Sequence, residues 1–301
     1  MTKEKFKISR LGLGTVQFGM DYGFSKALTQ NDVNGILSAA HEQGVDFLDT
    51  ARAYGDSEEK VGNYIRQNPG HFTVCTKLEE IGAGTARHPE KVEQFIADSL
   101  DRSKRALGKS FLPMFLLHQT DGFVVDSADF WSALKRIKER RGFKFGISVY
   151  DPEPTKEILE KQGDVIDCIQ APYNVVDRRF ESLAGLLHEK GIVFIGRSTF
   201  LKGALVEKKI PAELKDLEPV RKKLREISKK TGLAVSQLLV HFSLSSPVVD
   251  CALIGVRSIG QLRENLDLDK SREEFREYRQ ELSAISVDNP FLKDPRQWKT
   301  L

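Results

Sequence analysis

Three observations predict an α/β chain closed into a (β/α)8 TIM barrel, with residues 1–301 as a single domain. Short apolar runs alternate with amphipathic helical stretches over nearly the whole length. Eight of those runs have strand character, and eight parallel strands close on themselves and leave no edge. Polar and titratable side chains sit at the C-terminal ends of the runs, where a barrel of this kind gathers its functional groups.

The strands are expected at 10–16 (RLGLGTV), 45–51 (VDFLDTA), 72–77 (FTVCTK), 114–119 (MFLLHQ), 143–149 (FKFGISV), 165–170 (VIDCIQ), 192–198 (IVFIGRS) and 251–256 (CALIGV). The helices between them have legible ends. Thr29 precedes a face of Val33, Ile36, Leu37 and Ala40, with Asp32 placed for a capping box and Gly44 as the stop. Pro89 starts a long helix that runs to Leu107 and ends at Gly108. Ser57 opens another, and more fall near 128–140, 153–162, 180–190 and 216–231. The 234–245 stretch reads as an extra helix before the last strand, and a final helix follows Ser258. Residues 199–215 have weak periodicity and read as a loop over one end of the barrel. GLGTVQFG, Gly12 to Gly19, invites a dinucleotide fingerprint, but Gln17 stands where the third glycine belongs and no helix is expected directly after it. The same segment, with Phe18, Met20, Asp21 and Tyr22, reads more simply as a rim of the barrel mouth.

Composition excludes several classes of function. Hydrophobic residues make up 40% and charged residues 30%, enough for a large buried core beneath a charged surface. The 46 basic and 43 acidic residues leave a net charge of +3, too balanced for a nucleic-acid or anionic-membrane partner. The run RKKLREISKK, Arg221 to Lys230, fits a solvated helix face. The leading residues MTKEKFKISR are charged and carry no apolar signal segment, so a cytoplasmic location is expected. Cys75, Cys168 and Cys251 lie far apart inside apolar runs, without zinc-type spacing, and read as small core residues; no metal site is expected.

The stretch LDTARAYGDSEEKVG, Leu48 to Gly62, places Asp49 at a strand end and Tyr54 in the loop beyond it. Lys77, His118, Ser148, Gln170 and Arg197 occupy the corresponding ends of later strands. Alternation puts Cys75 with Lys77, Leu116 with His118, and Cys168 with Gln170 on common faces. If those faces are inward, a lysine, a histidine and a glutamine converge on one mouth. Singly, Asp49 reads as a cap, Tyr54 as loop packing and His118 as a core histidine. An inward Lys77 needs a counter-charge, however, and Asp49 is the natural one. Such a group can move a proton: an ammonium beside a phenol is expected to lower its pKa from about 10. It holds no reductant, so a hydride would have to come from a cofactor.

LDTARAYGDSEEKVG, TK, LLHQ, GISVY, QAPYN and LIGVRSIGQLREN, in that order, resemble the aldo-keto reductases over nearly the whole chain. The resemblance implies a nicotinamide dinucleotide, usually the phosphorylated form, and reduction of a small-molecule aldehyde or ketone. It makes Asp49, Tyr54, Lys77 and His118 the catalytic set, with Tyr54 as proton donor. It gives Ser148 and Gln170 the nicotinamide carboxamide, and Ser198 and Leu201 the loop that crosses the pyrophosphate. Gly255, Arg257, Ser258, Gln261, Glu264 and Asn265 take the adenosine end. A helix N-terminus after Ser258 and the charge on Arg257 suit a phosphate, which favours NADPH. Gln261 stands where many relatives carry a second arginine, which leaves NADH open. The loop after the seventh strand departs from the family's aromatic-Ser-Pro-Leu-Gly, reading Arg197-Ser198-Thr199-Phe200-Leu201. Arg197 is thus placed either against the nicotinamide or against an anionic substrate. Two other functions remain to be separated: an aldolase forming a Schiff base on Lys77, and a cofactor-sensing binding subunit with little turnover.

Overall fold

The computed structural model describes residues 4–298 except 25, 87, 119, 121 and 268–271. Eight parallel strands close into a barrel in sequence order, each hydrogen-bonded to the next and the last to the first. They are β1 (Leu11–Gly14), β2 (Phe47–Asp49), β3 (Thr73–Leu78), β4 (Met114–Leu117), β5 (Lys144–Ser148), β6 (Cys168–Pro172), β7 (Val193–Arg197) and β8 (Cys251–Ile254). Every expected strand is present, most of them shorter than the apolar run that announced it. Strand geometry stops where the next backbone partner is lost, while the apolar character runs on into the loops.

The barrel interior is a separate small core of Phe47, Cys75, Met114, Leu116, Cys168, Val193, Ile195, Cys251 and Leu253. Leu116 pairs across the sheet with Gly146, and Gly146 with Cys168. Gly146 has no room for a side chain, because a β-carbon there would lie 2.3 Å from Cys168 Sγ. All three cysteines are free and buried, and burial pushes each thiol up, away from the reactive thiolate.

Helices coat the outside. α1 (Gln30–Glu42) buries Val33, Ile36, Leu37 and Ala40, and its capping box joins Thr29 and Asp32. Val33, Ile36 and Leu37 of that face contribute about 1.5–3 kcal/mol each. α2 (Ser57–Gln67) follows the Tyr54 loop, and α3 (Pro89–Leu107) ends at Gly108 in the left-handed conformation, φ 63°. α4 (Ala128–Arg141), α5 (Pro152–Gln162), α6 (Ala184–Glu189), α7 (Glu218–Thr231), α8 (Val235–Leu244), α9 (Ile259–Leu266) and α10 (Arg272–Ser283) are the other described α-helices longer than one turn. No described helix is long and apolar enough to cross a membrane.

Two local readings change. A one-turn helix, Val16–Gly19, does follow β1, where none is expected. Within 199–215 the chain makes a 3-10 turn at Leu201–Gly203 and begins another at Ala212–Leu217. Elements of one turn are too short to show a period.

That turn after β1 positions the Tyr54 loop by close backbone contact. A β-carbon on Gly19 would lie 1.9 Å from the Tyr54 carbonyl oxygen and 2.3 Å from the Ser57 nitrogen. Gly55, at φ 57°, returns the contact, its would-be β-carbon lying 2.2 Å from the Gly19 oxygen. Lys60 locks the pair from α2, donating to the carbonyls of Phe18 (2.9 Å) and Leu28 (2.8 Å). Gly19→Ala should therefore force the two loops apart, lowering stability in urea by about 1–3 kcal/mol. An unchanged urea midpoint would show that the loops part freely.

Candidate active site

The C-terminal mouth of the barrel opens into a cleft of about 630 Å³. At its floor Lys77 is fully buried and donates to both carboxylate oxygens of Asp49, 2.8 Å each, and to the Thr50 carbonyl at 2.9 Å. Gln170 reaches across the barrel from β6, its Nε2 donating to Asp49 Oδ1 at 2.7 Å. Burial works against the Lys77 charge, but Asp49 outweighs it and holds the ammonium above its ordinary pKa. Lys77 Nζ lies 4.8 Å from the centre of the Tyr54 ring. The Tyr54 and His118 rings meet edge to face with centres 5.9 Å apart. The four side chains thus gather around one point, from β2, the loop after it, β3 and the end of β4.

The electrostatics correct one expectation. Burial pushes the Tyr54 phenol up, and the Lys77 ammonium, pulling the other way, does not overcome it. Tyr54 is thus a protonated phenol at neutral pH. His118 is pushed down to about 3 by burial and by the positive charges of Lys77 and Arg197, so its imidazole is neutral and can donate one hydrogen bond.

The Tyr54 loop is anchored by Ser57 and by residues that the sequence did not single out. Glu58, almost fully buried on α2, accepts from Thr76 Oγ1 at 2.6 Å and pairs with Arg52 at 3.0 Å. Arg52 also reaches Glu59 and Glu79. The buried Ser57 hydroxyl bonds the Thr15 carbonyl (2.9 Å) and lies 3.1 Å from Thr50 Oγ1. An acidic pair after Tyr54 looks like an ordinary helix start, so only the fold reveals what Glu58 holds.

Along the rest of the cleft, Ser148 at the end of β5 stands in register beside Gln170 in the middle of β6. Arg197, Ser198, Gly255, Arg257, Gln261, Glu264 and Asn265 also line it. Leu201 does not: its side chain is buried in the core, and its amide donates to the Ser198 carbonyl at 2.8 Å. Ser258 is not among the lining residues either; it caps α9, its hydroxyl accepting from the Gln261 amide at 3.2 Å. Arg257 is paired with Glu207, so a phosphate there would compete with a carboxylate. Tyr22, Phe24, Tyr150, Lys202 and Glu207 line the cleft as well, and of these only Tyr22 lies in the rim read from sequence.

Of the five buried side-chain polar atoms without a hydrogen-bond partner among the described residues, two belong to residues lining the cleft, Gln170 Oε1 and Asn265 Oδ1. Orphaned buried acceptors are costly, and both belong to residues expected at the two ends of a dinucleotide. Such a ligand brings an amide and an amino donor to those ends, so the residues fit a nicotinamide dinucleotide.

The closed barrel, with a buried ion pair at its strand ends, places the chain in the (β/α)8 class. The chain belongs to the aldo/keto reductase family, whose model matches residues 10–280, and is accordingly an NAD(P)H-dependent enzyme. It is 27% identical over 286 residues to the uncharacterized oxidoreductase YqkF of Bacillus subtilis, with 88% of each chain covered. The holo form of aldo-keto reductase AKR11C1 from Bacillus halodurans superposes with a TM-score of 0.74 at 22% identity, over 96% of this chain and 98% of that one. An aldo/keto reductase from Klebsiella pneumoniae, crystallised with NADP and acetate, superposes at 0.71 with 20% identity over 94% of both.

Asp49→Asn should leave the Lys77 ammonium buried without its counter-charge and cost about 3–5 kcal/mol in urea unfolding. Adding Lys77→Met should recover part of that loss, and strictly additive costs in the double-mutant cycle would contradict the coupling. Because the folded pKa of Lys77 is raised, the pair's contribution should be complete below the unfolded lysine value of about 10.4 and fade as pH rises through the folded one.

Proposed function

We propose that the chain reduces a small aldehyde or ketone to the alcohol with NADPH, and that Tyr54 gives up the proton. The observation that carries this reading is a phenol whose ring lies 4.8 Å from an ammonium that a buried carboxylate fixes in place. As the carbonyl oxygen gains negative charge, the phenol can donate to it, and the resulting phenolate finds Lys77 beside it. Neutral His118, edge-on to the phenol, can donate to the same oxygen and orient it. General-acid help of this kind is worth about 10²–10⁴ in rate.

Ser148, Gln170, Arg257, Gln261, Glu264 and Asn265 would hold the cofactor, which supplies the hydride when bound. The NADP complex of the Klebsiella relative supports the phosphorylated form. The Arg257–Glu207 pair leaves room for NADH, since a ribose hydroxyl could bond the carboxylate where a phosphate must displace it.

A Schiff-base aldolase needs a neutral lysine, and Asp49 holds Lys77 charged. Borohydride with a ketone should therefore leave Lys77 unmodified. A sensing subunit would bind the cofactor through the same residues but turn over no carbonyl compound, so a steady-state panel separates it.

Tyr54→Phe should bind NADPH with unchanged protein-fluorescence quenching, yet lose nearly all reduction; retained turnover would remove Tyr54 as the acid. Because His118 is held near 3, the pH profile of kcat/KM should show no histidine limb between about pH 5 and 8. An inflection near the ordinary histidine value of about 6.5 that disappears in His118→Gln would show a charged imidazole at work.

A further inference from the structure

Three cations around the cleft have a carboxylate of their own. Lys77 has Asp49, Arg257 has Glu207, and Arg296 has Asp294 through two bonds of 2.8 and 2.7 Å. Arg197 differs. It is partly buried at the end of β7, and among the described residues it meets no carboxylate. Its Nη2 donates to the Val149 carbonyl at 3.0 Å, its Nη1 reaches Ser198 Oγ only at 3.4 Å, and no bond from Nε is present among the described residues. The guanidinium lies 4.0 Å from the centre of the Tyr150 ring, and Arg296 lies 3.5 Å from the same centre, so Tyr150 is held between two cations. These contacts fix the plane of Arg197 and leave its charge uncompensated. A half-buried charge in that state is costly until an anion arrives.

The direction in which Arg197 leans identifies the anion's position. It is tied to Val149 and Tyr150, which follow β5, and not to β8 and α9, where the adenosine-side residues lie. Its charge is felt at Tyr54, His118 and Tyr22, the groups around the point where a carbonyl oxygen would be protonated. Lys202 lines the same cleft and is held over the Tyr22 ring at 5.4 Å, adding a second positive charge on that side.

We infer that Arg197 is a specificity-determining residue that receives the carboxylate of an acidic substrate, an aldehyde or ketone bearing its own acid group. This rests on the carbonyl-reductase reading and names the substrate class for it. A carboxylate suits the site because a guanidinium edge bonds both its oxygens, and the stack on Tyr150 presents that edge already ordered.

The test compares two acids, succinic semialdehyde and 4-carboxybenzaldehyde, each with its methyl ester, in the full-length protein with NADPH. The wild type should favour at least one acid over its ester in kcat/KM. Arg197→Met should lower that acid-to-ester ratio about tenfold or more, and Arg197→Lys should restore part of it, since a charge-assisted bond is worth about 1.5–3 kcal/mol. Fluorescence titration with NADPH, and the thermal midpoint of each variant, show whether the cofactor site and the fold persist. A wild type indifferent to the ester would overturn the inference and leave the reductase reading standing. So would an unchanged ratio in Arg197→Met accompanied by weaker NADPH binding, which would return Arg197 to the cofactor. If the wild type reduces none of the four, the reductase reading fails instead. Direct binding of acid against ester, in wild type and Arg197→Met, then decides the role of Arg197 without turnover.

Discussion

A lysine with no exposed surface, inside a closed barrel, survives as an ion only because its surroundings replace the water it has lost. Lys77 has three donors and three partners, the two oxygens of Asp49 and the Thr50 carbonyl. Asp49 in turn accepts from Gln170, so the charge pair ties β2 and β3 to β6 across the mouth. Removing one partner from such a pair is far costlier than removing both. The barrel thus fixes the pair and the pair fixes the mouth, and Tyr54 and His118 take their positions against a charge that cannot move.

How the phenol reaches that charge is a separate matter, settled by backbone. Gly19 and Gly55 let two loops touch where any side chain would separate them. Glu58, Thr76 and Arg52 then tie the far end of the loop to β3. Tyr54 sits on a loop, yet the loop has little freedom, because both its ends are bonded to strands. Holding a side chain to within a fraction of an ångström needs this kind of support.

The alternation of apolar and polar runs made the barrel legible, and strand parity made its inward face legible as well. Cys75, Leu116 and Cys168 line the interior, and Lys77 and Gln170 rise above them. The partnership of Lys77 with Asp49 was legible too, since an inward cation must be compensated. What could not be read depends on chain segments distant in sequence. The bond from Gln170 to Asp49 spans 121 residues, and the stacking of Arg296 on Tyr150 joins a C-terminal turn to the end of β5. No local pattern encodes either. The balance between burial and charge on Tyr54 is hidden from the sequence for a related reason. A neighbouring ammonium is visible in sequence, whereas the depth of burial that opposes it is a property of the assembled loops.

The loop after β7 shows how the departure from the family pattern is accommodated. Ser198, Leu201 and Lys202 all adopt positive φ, 62°, 51° and 52°, a conformation that costs a non-glycine residue about 1–2 kcal/mol each. The surrounding bonds oppose that cost. Asn174 donates to the Ser198 carbonyl at 3.1 Å, Thr199 Oγ1 to the Leu253 carbonyl at 2.9 Å, and Lys202 Nζ to the Pro295 carbonyl at 3.0 Å, while the Leu201 side chain is buried. Strain held by so many bonds is directed strain: it turns the backbone along the cleft wall just where the chain passes from Arg197 towards the residues of β8. The same turn starts directly after Arg197, whose guanidinium is held on the other side by the Val149 carbonyl and the Tyr150 ring.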